Sequence, residues 1–145
     1  GEMCITNLDY AEEAAKKLGG RLVRGQTTFK WYGKWLNDWN DKRAAVNRGI
    51  NPKTFGQCAH AIVMEDGAKG SYEVGLVERE DGKGFDAIYD VFGPGIQLEK
   101  KFGKGLGKLK TEIGVVTAMK TYGRMGYQVK EGTNKRGERQ VKIWK

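Results

Sequence analysis

Histidine, cysteine and proline are scarce in this chain, and long apolar runs are missing. It holds one His, two Cys and two Pro in 145 residues. With His60 alone and thiols only at Cys4 and Cys58, a four-ligand structural zinc site lacks donors. Two cysteines so far apart make no disulfide framework. A chain of this size needs none, because it can bury roughly 68–70% of its unfolded surface. The apolar stretches run to a few residues, against the roughly 18 that a membrane-spanning helix needs, and no apolar leader resembling a signal peptide is seen. These absences lead to the expectation of a soluble, cytoplasmic protein with no membrane contact, no metal and no cofactor. A P-loop is missing too. Gly103-Lys104-Gly105-Leu106-Gly107-Lys108 has its flavour, but lacks its spacing, its terminal Lys-Ser or Lys-Thr and a strand leading into it.

What is abundant is positive charge, and it is placed unevenly. The net charge is +8. From Glu99 to Lys145 there are thirteen Lys or Arg against four Glu, a net of +9, which leaves −1 for everything before. Clustered cations release counterions when they meet phosphates, so this asymmetry points to a phosphate-bearing ligand, nucleic acid or nucleotide. The candidate contacts are Lys104, Lys108, Lys110, Arg124, Lys135, Arg136 and Arg139. A basic solvated face without a ligand is the competing reading.

The clearest structural pattern runs from Tyr72 to Phe92. Two runs rich in Val, Ile, Leu and aromatics flank Asp81-Gly82-Lys83-Gly84, a β-hairpin signal. Pairing Glu80 with Phe85 puts Arg79 opposite Asp86, Leu76 opposite Tyr89 and Val74 opposite Val91, with Val74, Leu76, Ala87, Tyr89 and Val91 on one face. Before it, Cys4–Leu8 reads as a short strand. A helix follows, with Asp9 as N-cap, Ala11, Ala14, Ala15 and Leu18 on one face, and Gly19-Gly20 as its stop. Arg21–Thr28 and Cys58–Met64 read as further strands. A flexible glycine-broken lead-in precedes a helix from Lys108 that carries Leu109, Ile113 and Val116 and ends at Gly123 or Gly126. Tyr127–Glu131 and Arg139–Trp144 form a second hairpin, with Val129 on a face opposite to or offset from Val141 and Ile143. The expected fold is α+β: a single domain over 1–145, with an antiparallel sheet of five to seven strands and two helices on one face.

A Trp-rich insertion at about 29–57 interrupts this order. Phe29, Trp31, Tyr32, Trp35 and Trp39 alternate with Lys30 and Lys34. One reading is a stacking platform, where each base on an aromatic is worth about 1–3 kcal/mol, with Trp31, Trp35 and Trp39 as ligand contacts. The favoured reading is an apolar face packed over the sheet. The same three Trp would serve as anchors if the chain is an interaction module that modulates a host protein. An enzyme using Asp86 and Asp90 as paired carboxylates is the least favoured alternative. Cys58 and His60 share one side of a strand, and whether they act as a dyad is left open by spacing alone. The oligomeric state is not legible.

Cys58-Ala-His-Ala-Ile, Tyr72-Glu-Val-Gly-Leu-Val, Asp81-Gly82, Tyr89-Asp-Val-Phe-Gly93, the helix end Tyr122-Gly-Arg-Met-Gly-Tyr127 and the final alternating strand together resemble a known family. It is the domain-of-unknown-function family containing the hypothetical chloroplast reading frame thirty-five product, with relatives in cyanobacteria, other bacteria and bacteriophages. The resemblance covers roughly Cys58 to Trp144. The chain departs from the family's Trp-rich strand end, having Asp90-Val-Phe-Gly93, and from its Gln-Arg-Tyr type helix segment, having Lys110-Thr-Glu-Ile113. It implies the fold and a phage or bacterial setting, and no catalytic residue.

Overall fold

The computed structural model describes residues 3–31, 56–67, 71–90 and 95–145. The readings made for Tyr32, Trp35 and Trp39 and for the strand end at Val91-Phe92 fall outside the described residues. The described residues form an α+β fold. A five-stranded antiparallel sheet has the order β1-β5-β4-β3-β2, with β1 Met3–Ile5, β2 Gly20–Arg24, β3 His60–Met64, β4 Val74–Glu78 and β5 Phe85–Ile88. Strands β2 to β5 form a meander in sequence order, and β1 closes the far edge beside β5. The helices are α1 Leu8–Lys17, α2 Gly95–Phe102 and α3 Gly107–Arg124. The terminal hairpin, β6 Gln128–Thr133 and β7 Arg139–Trp144, is a separate two-stranded sheet.

The register places Met3, Ile5, Phe85, Ala87, Leu76, Val74, Ile62 and Leu22 on one sheet face. These side chains join Ala11, Ala14 and Ala15 of α1, Leu98 and Phe102 of α2, and Leu109 and Val116 of α3 in one core. Each large side chain buried there is worth about 1.5–3 kcal/mol over leaving it exposed. The opposite sheet face is covered at Gly75, the second residue of β4, where a Cβ would overlap the Phe29 ring. The segment before the Trp-rich stretch is tied down by Phe29 N–H to Gly56 O at 2.9 Å and by Glu73 N–H to Lys30 O at 3.0 Å.

Several local expectations are corrected. The first hairpin pairs Glu78 with Phe85 and Leu76 with Ala87, two residues away from the expected register. The cause is a longer reversal: Arg79 N–H donates to Gly84 O at 2.9 Å and Gly82 N–H to Arg79 O at 3.0 Å. A slip of two keeps the side-chain alternation, so the core face is still Val74, Leu76 and Ala87. Arg79 still reaches Asp86, diagonally, at 3.1 Å. The cap of α1 is Asn7, whose side chain accepts from Tyr10 N–H at 3.1 Å, while Asp9 sits in the first turn and pairs with Arg24. Val129 and Ile143 are directly paired and share a face with Val141.

The expected flexible lead-in is partly helix α2, followed by the 3-10 turn Lys104–Leu106. Gly103 has φ +88° there, and a Cβ would lie 2.5 Å from Lys108 N, so only glycine fits. Leu106 takes a left-handed φ of 63°, unusual for a branched residue. Its side chain is 1% exposed, and burial in the core offsets the strain. Among the described residues no helix is long and apolar enough to cross a membrane.

Candidate nucleic-acid interface

The terminal hairpin is built by two partly alternating strands and a well-specified turn. Asn134 N–H donates to Glu138 O at 2.9 Å, and Gly137 N–H donates to Asn134 O at 3.0 Å. The Asn134 side-chain oxygen accepts from the N–H groups of Arg136 and Glu138, both at 2.9 Å. Gly137 supplies the left-handed position at φ +83°. An Asn that accepts from the backbone two residues on, followed by a positive-φ Gly, is a favoured way to close a three-residue hairpin loop. Lys135 and Arg136 are thereby held at the tip, both exposed.

The two faces of this hairpin differ sharply. Val129, Glu131 and Thr133 pair with Ile143, Val141 and Arg139, and this face is partly covered, with α3 against both strands. Arg139 is a structural residue rather than a free cation. Its Nε donates to both carboxylate oxygens of Glu112 at 2.9 and 3.0 Å, and its Nη2 to Glu131 at 3.0 Å. Its Nη1 reaches Gly132 O and Thr133 Oγ1, both at 3.2 Å. Glu112 is buried, at 7% exposure. Its hydrogen bond, above the other causes, keeps the Arg139 charge even more firmly held than usual. Glu131 is also bonded by Lys17 of α1, which holds its carboxyl below the ordinary range.

The outer face carries Gln128 opposite Trp144, Lys130 opposite Lys142, and Gly132 opposite Gln140. All six are exposed. None of these six ladder positions is a carboxylate; Glu138, one step further toward the turn, is exposed and accepts from the Asn134 side-chain amide at 3.0 Å. Like charges directly opposite on a ladder repel, so the Lys130 and Lys142 pair is a cost that the fold itself does not require. Beyond Trp144, the Lys145 ammonium lies 5.1 Å from the Tyr127 ring centroid.

The remaining sequence-predicted contacts fall in other places. Lys104, Lys108 and Lys110 are exposed around the start of α3. That helix has no acidic residue in its first turn and no side-chain cap. Lys108 there faces the positive end of the macrodipole, where a cation is disfavoured by about 0.3–1 kcal/mol. Lys108 and Arg139 both border a groove of about 570 Å³ with Leu18, Thr111, Glu112 and Glu138. Arg124 is at the opposite end of α3, about 24 Å along its axis, and donates to Tyr10 Oη at 2.8 Å. Trp31 is buried at 6% exposure, with Gly56 packed against its indole, so it does not offer a stacking surface. Lys130, Lys142, Gln128 and Gln140 were not singled out from the sequence. Their signal was present as period-two spacing in Gln128-x-Lys130 and Gln140-x-Lys142-x-Trp144.

Cys58 Sγ donates to Gln26 O at 3.1 Å, and burial, then the Glu73 carboxylate, pushes its pKa up to about 11. His60 Nδ1 accepts from Gly25 N–H at 3.0 Å. Each group is thus engaged with backbone, and neither activates the other. Asp86 is paired with Arg79, and Asp90 is buried at 9% exposure. Among the described residues no group of three or more His, Cys, Asp or Glu is placed to hold a metal. No protein-family model, curated protein or solved structure matches the chain.

Proposed function

We propose that this chain binds a phosphate-bearing ligand, nucleic acid before free nucleotide, through the exposed cations of its last third. Lys130, Lys135, Arg136 and Lys142 supply the main contacts, with Lys104, Lys108 and Lys110 extending the field. The observation that carries this reading is the directly opposed and exposed Lys130 and Lys142, with no carboxylate among the six outer ladder positions. An extended row of cations fits a polymer of phosphates better than one nucleotide. Arg139, Arg124 and Trp31 leave the contact set because each is engaged within the fold.

Titration of a fluorescently labelled oligonucleotide across salt concentrations tests it. Four cations brought into the field of the phosphates imply a log–log slope of about −3 to −4, or roughly a 100-fold loss of affinity between 50 and 200 mM salt. Absence of binding at 50 mM salt would remove the proposal, since the phosphate contribution is strongest there.

A protein partner is the second reading, favoured by the exposed Met125, at 61%, between Tyr122 and Tyr127, whose rings pack edge to face at 5.9 Å. The same titration separates the two. A salt-insensitive protein that ignores nucleic acid leaves the Met125 end, not the hairpin, as the contact surface.

A further inference from the structure

We infer that the outer face of the terminal hairpin enters the major groove of duplex DNA, with Gln128, Lys130, Gln140 and Lys142 toward the base edges and Lys135 and Arg136 on the phosphates. This rests on the nucleic-acid reading above and names its form. Size is the first argument. Two strands about 4.8 Å apart, each six residues and about 20 Å long, make a ribbon that fits a groove about 12 Å wide but not one about 6 Å wide. The major groove of an RNA duplex is too deep and narrow for side chains to read.

The second argument is the chemistry of the face. Glutamine amides present a donor and an acceptor together, as the adenine N6 and N7 edge requires, and lysine donates to guanine O6 and N7. Single-strand binders instead carry successive aromatics for stacking. Here Trp144 is the one aromatic among the six outer-face positions.

Gly132 gives a third, independent reason. It lies inside β6 without a positive φ, and a Cβ there would meet nothing within 4 Å. Neither backbone conformation nor packing calls for glycine, which weakens a strand interior. What its missing side chain does provide is a low centre to the face, opposite Gln140, where another surface can approach closely.

Fluorescence anisotropy with the full chain, at 50 mM salt, decides the matter. The probes are a labelled 20-base-pair mixed-sequence DNA duplex, one of its strands alone, and the RNA duplex of the same sequence. The DNA duplex should bind at least about 10-fold tighter than either alternative, and K130E/K142E should weaken it about 100-fold. Gly132→Val should weaken duplex binding about 5-fold or more while keeping the far-ultraviolet dichroism of the parent. Lys83→Glu, half that charge change and placed on the exposed β4–β5 loop, should shift affinity less than about threefold. Equal or tighter binding of the single strand or the RNA duplex, or a Gly132→Val protein with parental affinity, overturns the duplex inference and leaves nucleic-acid binding standing. If none of the three probes binds, both readings fail.

Discussion

Arg139→Ala should lower the folding stability of this protein by about 3 kcal/mol, as read from the midpoint of a urea transition. The expectation follows from what the guanidinium touches. Both oxygens of the buried Glu112 accept from Arg139 Nε, and the same side chain satisfies Glu131, Gly132 O and Thr133. Truncation leaves a carboxylate at 7% exposure without its counter-charge, and an unpaired buried ion costs far more than a lost surface pair. It also unfastens β7 from α3, since Glu112 is on the helix and Arg139 on the strand. The control is the double replacement Arg139→Met with Glu112→Leu. With both charges gone, no desolvated ion remains, and much of the loss should be recovered. A single mutant less than about 1 kcal/mol below the parent would show that Glu112 is better solvated than its burial implies.

Trp31→Ala should be at least as damaging, about 3–5 kcal/mol, while leaving the affinity of the folded protein for a DNA duplex within about threefold. Trp31 is 6% exposed and Phe29 1%. Phe29 lies on Gly75 of the central strand β4, and Gly56, at φ +99°, leaves room for the Trp31 indole. Removing the indole opens a cavity that the segment, tied by backbone hydrogen bonds at Thr27, Phe29 and Lys30, cannot readily collapse into. A stacking platform behaves in the opposite way: its truncation spares stability and weakens binding. The paired measurement of urea midpoint and duplex affinity therefore separates a wall of the fold from a ligand contact.

The fold was legible where the information is local. Val74, Leu76 and Ala87 alternate, so even a register wrong by two residues puts them on the buried face. Ala11, Ala14 and Ala15 mark the inward side of α1 by their spacing. Gly137 after Asn134 specifies the second turn almost by itself. The cap of α1 was misplaced because Asn7 and Asp9 are both good caps, and the choice between them depends on where the chain leaves β1. Helix α2 was hidden by Pro94 before it, Gly95 at its start and three glycines after it, although Leu98 and Phe102, four apart and both fully buried, were its signal.

The site was less legible, because the identity of a charge does not say whether it is already neutralised. Lys135 and Arg136 could be placed at a tip from turn chemistry alone. Arg139, three residues on, looks the same in sequence, yet its partner Glu112 is 27 residues away and is found only in three dimensions. Trp31 carried two readings, a ligand contact and the favoured packed apolar face, for a similar reason: an aromatic between lysines reads alike whether it covers a sheet or greets a base. Lys130 and Lys142 were passed over because each is unremarkable in its own strand. Only the register, which sets them opposite one another at exposed ladder positions, gives them meaning.

The most direct test of the account is residue-resolved amide chemical-shift mapping of the labelled protein on addition of a DNA duplex at low salt. The largest changes are predicted at Gln128, Lys130, Gly132, Gln140 and Lys142 and at the Lys135-Arg136 tip, with Arg139, Arg124 and Trp31 little affected. Changes centred on the groove beside Lys108 and Thr111, or spread without preference over the surface while the hairpin stays silent, would contradict it.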